Sequence, residues 1–292
     1  MLESLDHIVI ATDTLDEASR QLIAVLGRTP SWSGSHPSFG TRNVLFRLDN
    51  TYVELLAPDG GGPVADGLRA RLSERGPGLH ALALGTEDAD EAARSLKARG
   101  LDVAGPVAGI AQDAPSGAFR RFRNVLIRPE QSRGVGLFVI EHLSEPDELP
   151  PALPVGDEAG VVSALDHVVI MTRDPDAAKQ LYGDTLGIRL ALDRSFEKRG
   201  VRLLFFRLGG ATIEIAAQLR EKTELGEAES DRDRLWGVAW QVPDAERARA
   251  RIVEAGLSAS QVRDGHKPGT RVFSVEGEPL GVPTLMIQPV AR

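Results

Sequence analysis

Three histidines stand at the start of short apolar runs rich in Val, Ile, Leu and Ala, a pattern typical of buried strands: His7, His80 and His167. Trp236 opens a fourth run of the same kind. The chain has no cysteine, which excludes disulfides, thiolate metal sites and cysteine nucleophiles. Any metal ion must therefore be bound by nitrogen and oxygen, the donors that imidazole and carboxylate groups supply.

These four positions mark an internal repeat. In each copy the apolar run is followed by an acidic helix start, an amphipathic helix and a glycine, and the glycine always lies 20 residues after the first position. The four glycines are Gly27, Gly100, Gly187 and Gly256. Because glycine takes positive φ easily, each copy predicts a strand and a helix that ends there. Thr14 with Glu17, and Asp88 with Glu91, resemble capping boxes.

Two or three strand-like segments follow each helix, and the second strand of each unit is the least clear. The clearest segments are 42–48, 51–56, 119–127, 135–142, 201–208, 211–217, 270–276 and 284–289. The pattern predicts an α+β fold of four βαβββ units whose helices pack on sheets. The glycine-rich stretch 59–63 is interpreted as a connection between units, because it lacks the residues of a nucleotide-binding loop.

The length of 292 residues and the 42% hydrophobic content favour two domains. Residues 144–163 are rich in proline and acidic residues, which is typical of a linker. The sequence therefore predicts a first domain at 1–145, a linker at 146–161 and a second domain at 162–292.

Charge favours small molecules as partners. The net charge is −8 and the basic residues are scattered, which argues against nucleic-acid and membrane surfaces. The acidic N-terminus does not resemble a signal peptide, and no apolar run is long enough to span a membrane, so we expect a cytoplasmic protein. The prevalence of arginine among the basic residues is typical of a GC-rich bacterial genome. No GxSxG, P-loop or HExxH motif occurs.

The paired repeat that opens with Leu5-Asp6-His7 resembles the vicinal oxygen chelate superfamily, and residues 36–43 and 52–55 are similar to its glyoxalase-like branch. That superfamily includes glyoxalase I, methylmalonyl-CoA epimerase, extradiol ring-cleaving dioxygenases and the bleomycin and fosfomycin resistance proteins. The resemblance covers nearly the whole chain. It implies that two units pair into a cupped mixed β-sheet around one divalent metal ion, with ligands from the first and last strands of each unit.

In the first domain, the resemblance implies four metal ligands: His7, Glu54, His80 and Glu141. Glu141 is the candidate for a ligand that also acts as catalytic base, and Glu54 is a second candidate for that role. Two imidazoles and two carboxylates suit one ion of zinc, nickel, cobalt, manganese or iron(II).

In the second domain, His167 and Glu214 have the same spacing as His7 and Glu54. Trp236 and Gln288, however, stand where the resemblance places the other two ligands. We therefore expect no metal in this domain, which would serve as scaffold, dimer surface or pocket wall. A homodimer is one expected assembly.

Four further residues are candidates for substrate binding: His36, Asn43, Arg121 and Arg123. His36 lies in a Gly/Ser/Pro-rich segment that would form a rim of the cup or a solvated loop. Of the adjacent strand residues Arg42 and Asn43 only one can point inward, and the resemblance implies that it is Asn43. Arg121 and Arg123 share a strand face, so they bind a substrate carboxylate or phosphate if that face lines the cup, and are solvated if it does not.

Three functions are compatible with these residues. The leading hypothesis is a metal-dependent lyase or isomerase that moves a proton beside a carbonyl or thioester. The second is an extradiol-type dioxygenase with iron(II) on two histidines and one carboxylate. The third is a non-catalytic binding protein of the resistance type.

Overall fold

The N-terminal half of the chain forms strands β1 to β8 and helices α1 to α3 in the computed structural model, which describes residues 1–219 and 232–290. The strands span Ser4–Ala11, Trp32–His36, Thr41–Arg47, Tyr52–Pro58, Gly78–Gly85, Val103–Asp113, Phe119–Ile127 and Gly136–His142. The helices span Leu15–Leu26, Pro63–Arg75 and Ala89–Ala98.

The C-terminal half repeats this order with strands β9 to β16. These span Ala164–Thr172, Arg189–Phe196, Val201–Leu208, Ala211–Gln218, Arg234–Gln241, Arg263–Asp264, Arg271–Val275 and Thr284–Gln288. Helix α4 (Pro175–Lys179) continues into a π-helical turn (Gln180–Thr185), and helix α5 is Ala245–Glu254. The predicted α+β fold of βαβββ units in two mixed sheets is confirmed.

The two sheets differ in closure. In both sheets, the first and fourth strands of a unit are parallel. The two units of each sheet are joined by antiparallel pairing of their first strands, which are β1 with β5 and β9 with β13. In the first domain β2 also pairs with β6, which closes a barrel in the order β1-β4-β3-β2-β6-β7-β8-β5. The second sheet stays open between β10 and β14. Strand β14 has two residues against the eleven of β6, which explains the difference.

The helix ends follow most of the sequence signals. Gly27, Gly100, Gly187 and Gly256 all have positive φ, between 70° and 91°. The Asp88 side chain caps α3 by accepting from the backbone N–H of Glu91, whereas Thr14 makes no capping hydrogen bond, so the capping box predicted there is wrong. Helix α2 was not expected; it begins at Pro63, the last residue of the glycine-rich stretch that was interpreted as a connection between units.

Side chains from the two faces of the first sheet enter different apolar clusters. The outer face packs with the helices into a core that continues through both domains. The barrel interior holds a second cluster: Trp32, Leu45, Tyr52, Ala83, Ala111, Phe122, Ile140 and Leu149. Leu149 comes from the segment predicted as a linker, which is therefore packed against the barrel. No helix in the described ranges is long and apolar enough to cross a membrane.

Candidate active site

The interior of the first barrel contains a histidine and a carboxylate that face each other. His7 on β1 is 3% exposed, and its Nε2 lies 3.5 Å from Oε2 of Glu54 on β4. Its Nδ1 is 2.7 Å from Asp6 Oδ1, and its ring stacks on Tyr52 with centroids 4.4 Å apart. A carboxylate at Nδ1 fixes the orientation of an imidazole, so Nε2 is held toward Glu54.

Two residues predicted to bind substrate lie beside this pair. The Asn43 amide donates a 2.8 Å hydrogen bond from Nδ2 to Glu54 Oε1, which leaves Oε2 facing His7. His36 Nε2 is 4.0 Å from Glu54 Oε1, and its Nδ1 is 3.1 Å from the hydroxyl of Thr41. Both His36 and Asn43 are buried, so the structure places them inside the barrel rather than on its rim.

The polar chain continues past Asp6 toward one end of the barrel. His142 Nε2 lies 3.1 Å from Asp6 Oδ2, and His142 Nδ1 lies 3.4 Å from Nη2 of Arg120. The Arg120 guanidinium stands over the rings of Trp32 and Tyr52, with Cζ 5.9 and 5.8 Å from their centroids. The sequence did not single out these contacts of Asp6, Trp32, Tyr52, His142 and Arg120.

The electrostatics of this interior favour a charged His7. Burial by itself lowers the pKa of His7, but the contacts with Asp6 and Glu54 outweigh it and raise the pKa to about 9. Burial raises the pKa of Glu54, but His7, His36 and Asn43 outweigh it and lower the pKa below its usual value. Burial lowers the pKa of His36. At neutral pH the site thus holds an imidazolium beside a carboxylate.

The buried pair of His7 and Glu54 predicts a decline in stability with rising pH. Because the pKa of His7 is raised in the folded state, its contribution is complete below about pH 6.5 and is lost as pH rises toward 9. We expect the free energy of unfolding in urea, with chelator present, to fall on the order of 2–3 kcal/mol over this range. The variant His7→Gln should lack this decline. Equal free energies of unfolding for the wild type at pH 6.5 and pH 9 would contradict the buried ion pair.

The structure places Glu141 outside the barrel, so its prediction as metal ligand and base is wrong. In the pairing of β7 with β8, Phe122 lies opposite His142 and Arg123 opposite Glu141. Phe122 is in the interior cluster, and strand neighbours alternate between faces. Glu141 Oε2 instead accepts from the backbone N–H of Ala89, at the start of α3, at 3.3 Å and from Arg123 Nη1 at 3.1 Å.

His80 lies at an irregularity in the pairing of β1 with β5. Val9 pairs with Ala81 and Ile10 with Leu79, so His80 has no partner in the ladder. The ring makes no hydrogen bond with any other described residue. Burial and the nearby Arg71 guanidinium lower the pKa of His80 to about 4. His80 therefore stays neutral at pH 7, but it is not assembled with His7 and Glu54 into a common cluster.

The two arginines predicted to bind substrate are also on the outer face. Arg121 is exposed, and Arg123 forms ion pairs with Asp90 at 2.5 Å and with Glu141 at 3.1 Å. The alternative in which they are solvated surface charge therefore describes them. Arg120, which lies between Phe119 and Arg121, is the arginine that points into the barrel. The register of strand β7 determines which arginine faces inward.

The second domain reproduces half of the arrangement. His167 Nδ1 is 2.8 Å from Asp166 Oδ1, and His167 Nε2 is 3.6 Å from Glu214 Oε2. Burial raises the pKa of Glu214. Trp236 is 46% exposed, and Gln288 Oε1 accepts from the backbone N–H of Ala245 at the start of α5. Gln288 thus caps a helix as Glu141 does in the first domain.

Comparison with known families accounts for both halves of the chain. Residues 5–159 match the family described as a glyoxalase-like domain, and residues 166–273 match the glyoxalase/bleomycin resistance protein/dioxygenase superfamily. The chain belongs to this superfamily. The resemblance predicted from the repeat is therefore confirmed.

The superfamily relatives include enzymes. An ethylmalonyl-CoA/methylmalonyl-CoA epimerase from Cereibacter sphaeroides is 33% identical over 108 residues, which cover 36% of this chain and 77% of that protein. A variant of 4-hydroxymandelate synthase from Streptomyces coelicolor has a TM-score of 0.68 and 15% identity, covering 100% of this chain and 94% of the other. A hypothetical protein from Staphylococcus aureus has a TM-score of 0.65 and 13% identity, covering 98% and 99%. The likeness to these two structures concerns the fold alone.

Superfamily members typically use a divalent metal, and the described residues supply only part of such a site. Donors on one zinc ion lie about 3.4 Å apart in tetrahedral geometry, which is close to the 3.5 Å between His7 Nε2 and Glu54 Oε2. In the described ranges, however, no group of three or more His, Asp or Glu side chains is placed to hold a metal. The predicted four-ligand centre does not fit this arrangement.

Proposed function

We propose that the first barrel is the active site of an isomerase that moves a proton on a carbon atom next to a carbonyl group. The observation that carries the proposal is the buried pair of His7 Nε2 and Glu54 Oε2, held face to face by Asp6 on one side and Asn43 on the other. Membership of a superfamily that includes an epimerase relative at 33% identity supports the choice of reaction.

The pair supplies both groups that such a reaction needs. The Glu54 carboxylate removes the proton beside the carbonyl, and negative charge develops on the carbonyl oxygen. The His7 imidazolium donates a hydrogen bond to that oxygen and stabilises the enolate, since the interior excludes most water. Glu54 then returns a proton to the planar enolate: return to the same face regenerates the substrate with exchange of its proton, whereas return to the opposite face, after the enolate has turned over in the barrel, releases the isomer. In both cases the two side chains regain their original protonation.

A second candidate is the metal-dependent form of the same isomerase. The 3.5 Å separation is longer than a normal hydrogen bond and suits two donors that share one cation. In this form His7 and Glu54 would hold one divalent ion of zinc, nickel, cobalt, manganese or iron, which would supply Lewis-acid polarisation of the carbonyl oxygen.

One experiment tests both candidates. The protein is purified without added metal, its metal content is measured, and solvent deuterium incorporation into small oxo acids and acyl thioesters is followed by NMR. We expect incorporation at the carbon beside the carbonyl of at least one compound. Incorporation that survives chelation supports the acid–base pair, and incorporation restored only by one ion supports the metal-dependent form. No incorporation with any compound, with or without metal, would overturn the isomerase and favour a binding protein.

A further inference from the structure

Arg120 is a buried cation without an anionic partner. Its residue is 8% exposed, and its guanidinium lies inside the first barrel between Trp32 and Tyr52. Within residues 1–219 and 232–290, no carboxylate is within ion-pair distance of it. Its side-chain contact is with His142, at 3.4 Å from Nη2, and its Nε–H has no hydrogen-bond partner. A buried guanidinium is costly unless an anion accompanies it.

Trp32 presents a second unused donor beside this cation. Its residue is 4% exposed, and its indole Nε1–H has no hydrogen-bond partner among the described residues. The indole lies along the inner face of β2 because Gly34 has no side chain; a Cβ there would be 2.5 Å from Nε1. Buried N–H groups are nearly always paired, so two unpaired donors on neighbouring side chains call for a common acceptor.

We infer that Arg120 and Trp32 form a binding site for the carboxylate of a small organic acid. The two oxygens of a carboxylate can accept from a guanidinium and from an indole N–H, and the carboxylate supplies the missing negative charge. A monoanion fits better than a phosphate, because Asp6 and Glu54 already place two acidic groups in the same interior. The aromatic rings of Trp32, Tyr52 and Phe122 surround the short apolar part of such an acid.

The site adjoins the proposed reaction centre. Tyr52 stacks on His7 and also lies under Arg120, and Asp6 joins His7 to His142 and thus to Arg120. The His142 side chain is 27% exposed, so solvent reaches this end of the barrel. The inference rests on the proposed function, since it names the substrate class of the same barrel: short acids with a carbonyl group beside or near the carboxylate.

Calorimetric titration with pyruvate tests the site without requiring turnover. We expect pyruvate to bind the wild type with Kd on the order of 1 mM, and its uncharged methyl ester not to bind. Arg120→Gln should weaken binding at least about 30-fold, and Trp32→Phe, which keeps the ring and removes the N–H, about tenfold. Arg123→Gln, three residues along the same strand on its outer face, is the matched control and should bind as the wild type does.

Other outcomes overturn the inference. These are no saturable binding of pyruvate to the wild type, equal binding to the wild type and Arg120→Gln, or inorganic phosphate binding more tightly than pyruvate. If Arg120→Gln fails to fold by circular dichroism, unchanged binding in Trp32→Phe overturns it as well. Failure of the proposed function can be distinguished from failure of this inference. The variant Glu54→Gln should still bind pyruvate even where proton transfer is absent.

Discussion

Replacing Glu54 by glutamine is expected to lower the rate of solvent deuterium incorporation by about 10²–10⁴-fold. Glutamine has nearly the same shape and can still accept the hydrogen bond that Asn43 donates to Glu54 Oε1. It cannot take a proton from carbon, and it leaves Asp6 as the one of the two carboxylates that still raises the pKa of His7. The base is therefore lost, while His7 keeps the contact with Asp6 that favours its charged form.

Glu141→Gln is the matched control for this prediction. Glu141 lies on the outer face of β8 and accepts from the first backbone N–H of α3. The second domain already has glutamine at the equivalent place, where Gln288 accepts from the backbone N–H of Ala245 at 2.9 Å. We therefore expect Glu141→Gln to fold normally and to keep its activity. An equal loss of activity in both variants would contradict the assignment of Glu54 as the sole base.

The repeat made the secondary structure predictable. A constant distance from the first strand residue to a glycine defines one strand and one helix, because the helix must end where the chain takes positive φ. The structure has Gly27, Gly100, Gly187 and Gly256 in that conformation. His7 and Glu54 were identified from the resemblance, and their meeting depends on a regular parallel pairing of β1 with β4, which the structure has.

The face of each strand residue was harder to predict than the strand itself. Side chains alternate with a period of two, so a shift of one residue moves a side chain from the barrel interior to its outer surface. The irregular pairing of β5 around His80 introduces such a shift within the second unit. Counting along the chain from His80 therefore does not establish that Glu141 faces inward. The residue that faces inward is His142.

The same uncertainty of register applied to the arginines. The residues Arg120, Arg121 and Arg123 lie on one strand, and the sequence left open which face lines the cup. Arg120 pairs with Ala111, an interior residue of β6, and this pairing places Arg120 on the inner face of the barrel. Closure of the barrel by β2 and β6 depends on contacts between residues about 80 positions apart, which no local pattern in the chain reports.

The second domain keeps part of the arrangement of the first. His167 and Glu214 have the geometry of His7 and Glu54, with a facing distance of 3.6 Å and an aspartate at Nδ1. Their side chains are each 16% exposed in an open sheet, whereas His7 is 3% exposed in a closed barrel. Closure of the barrel and the site formed by Arg120 and Trp32 therefore distinguish the first domain from the second. The histidine–glutamate pair itself does not.

The largest effect on stability is expected at Arg251, which lies on α5 of the second domain and contacts the first. Its Nη1 and Nη2 donate to the carbonyls of Ala24 and Val25, at the C-terminal end of α1, at 2.6 and 2.7 Å. Its Nε donates to the carbonyl of Gly160, in the segment between the domains, at 2.8 Å. One guanidinium thus joins both domains and the connection, and its positive charge lies at the negative end of a helix dipole.

Arg251→Ala should lower the free energy of unfolding by about 2–4 kcal/mol, since three carbonyls lose a charged donor and two of them end a helix. Because the contact crosses the domain boundary, we also expect urea unfolding to separate into two transitions. Arg247→Ala on the same helix is the control: Arg247 is 61% exposed and pairs with Asp157, so its loss should destabilise the protein much less than the loss of Arg251. Equal stabilities of the two variants would show that Arg251 does not couple the domains.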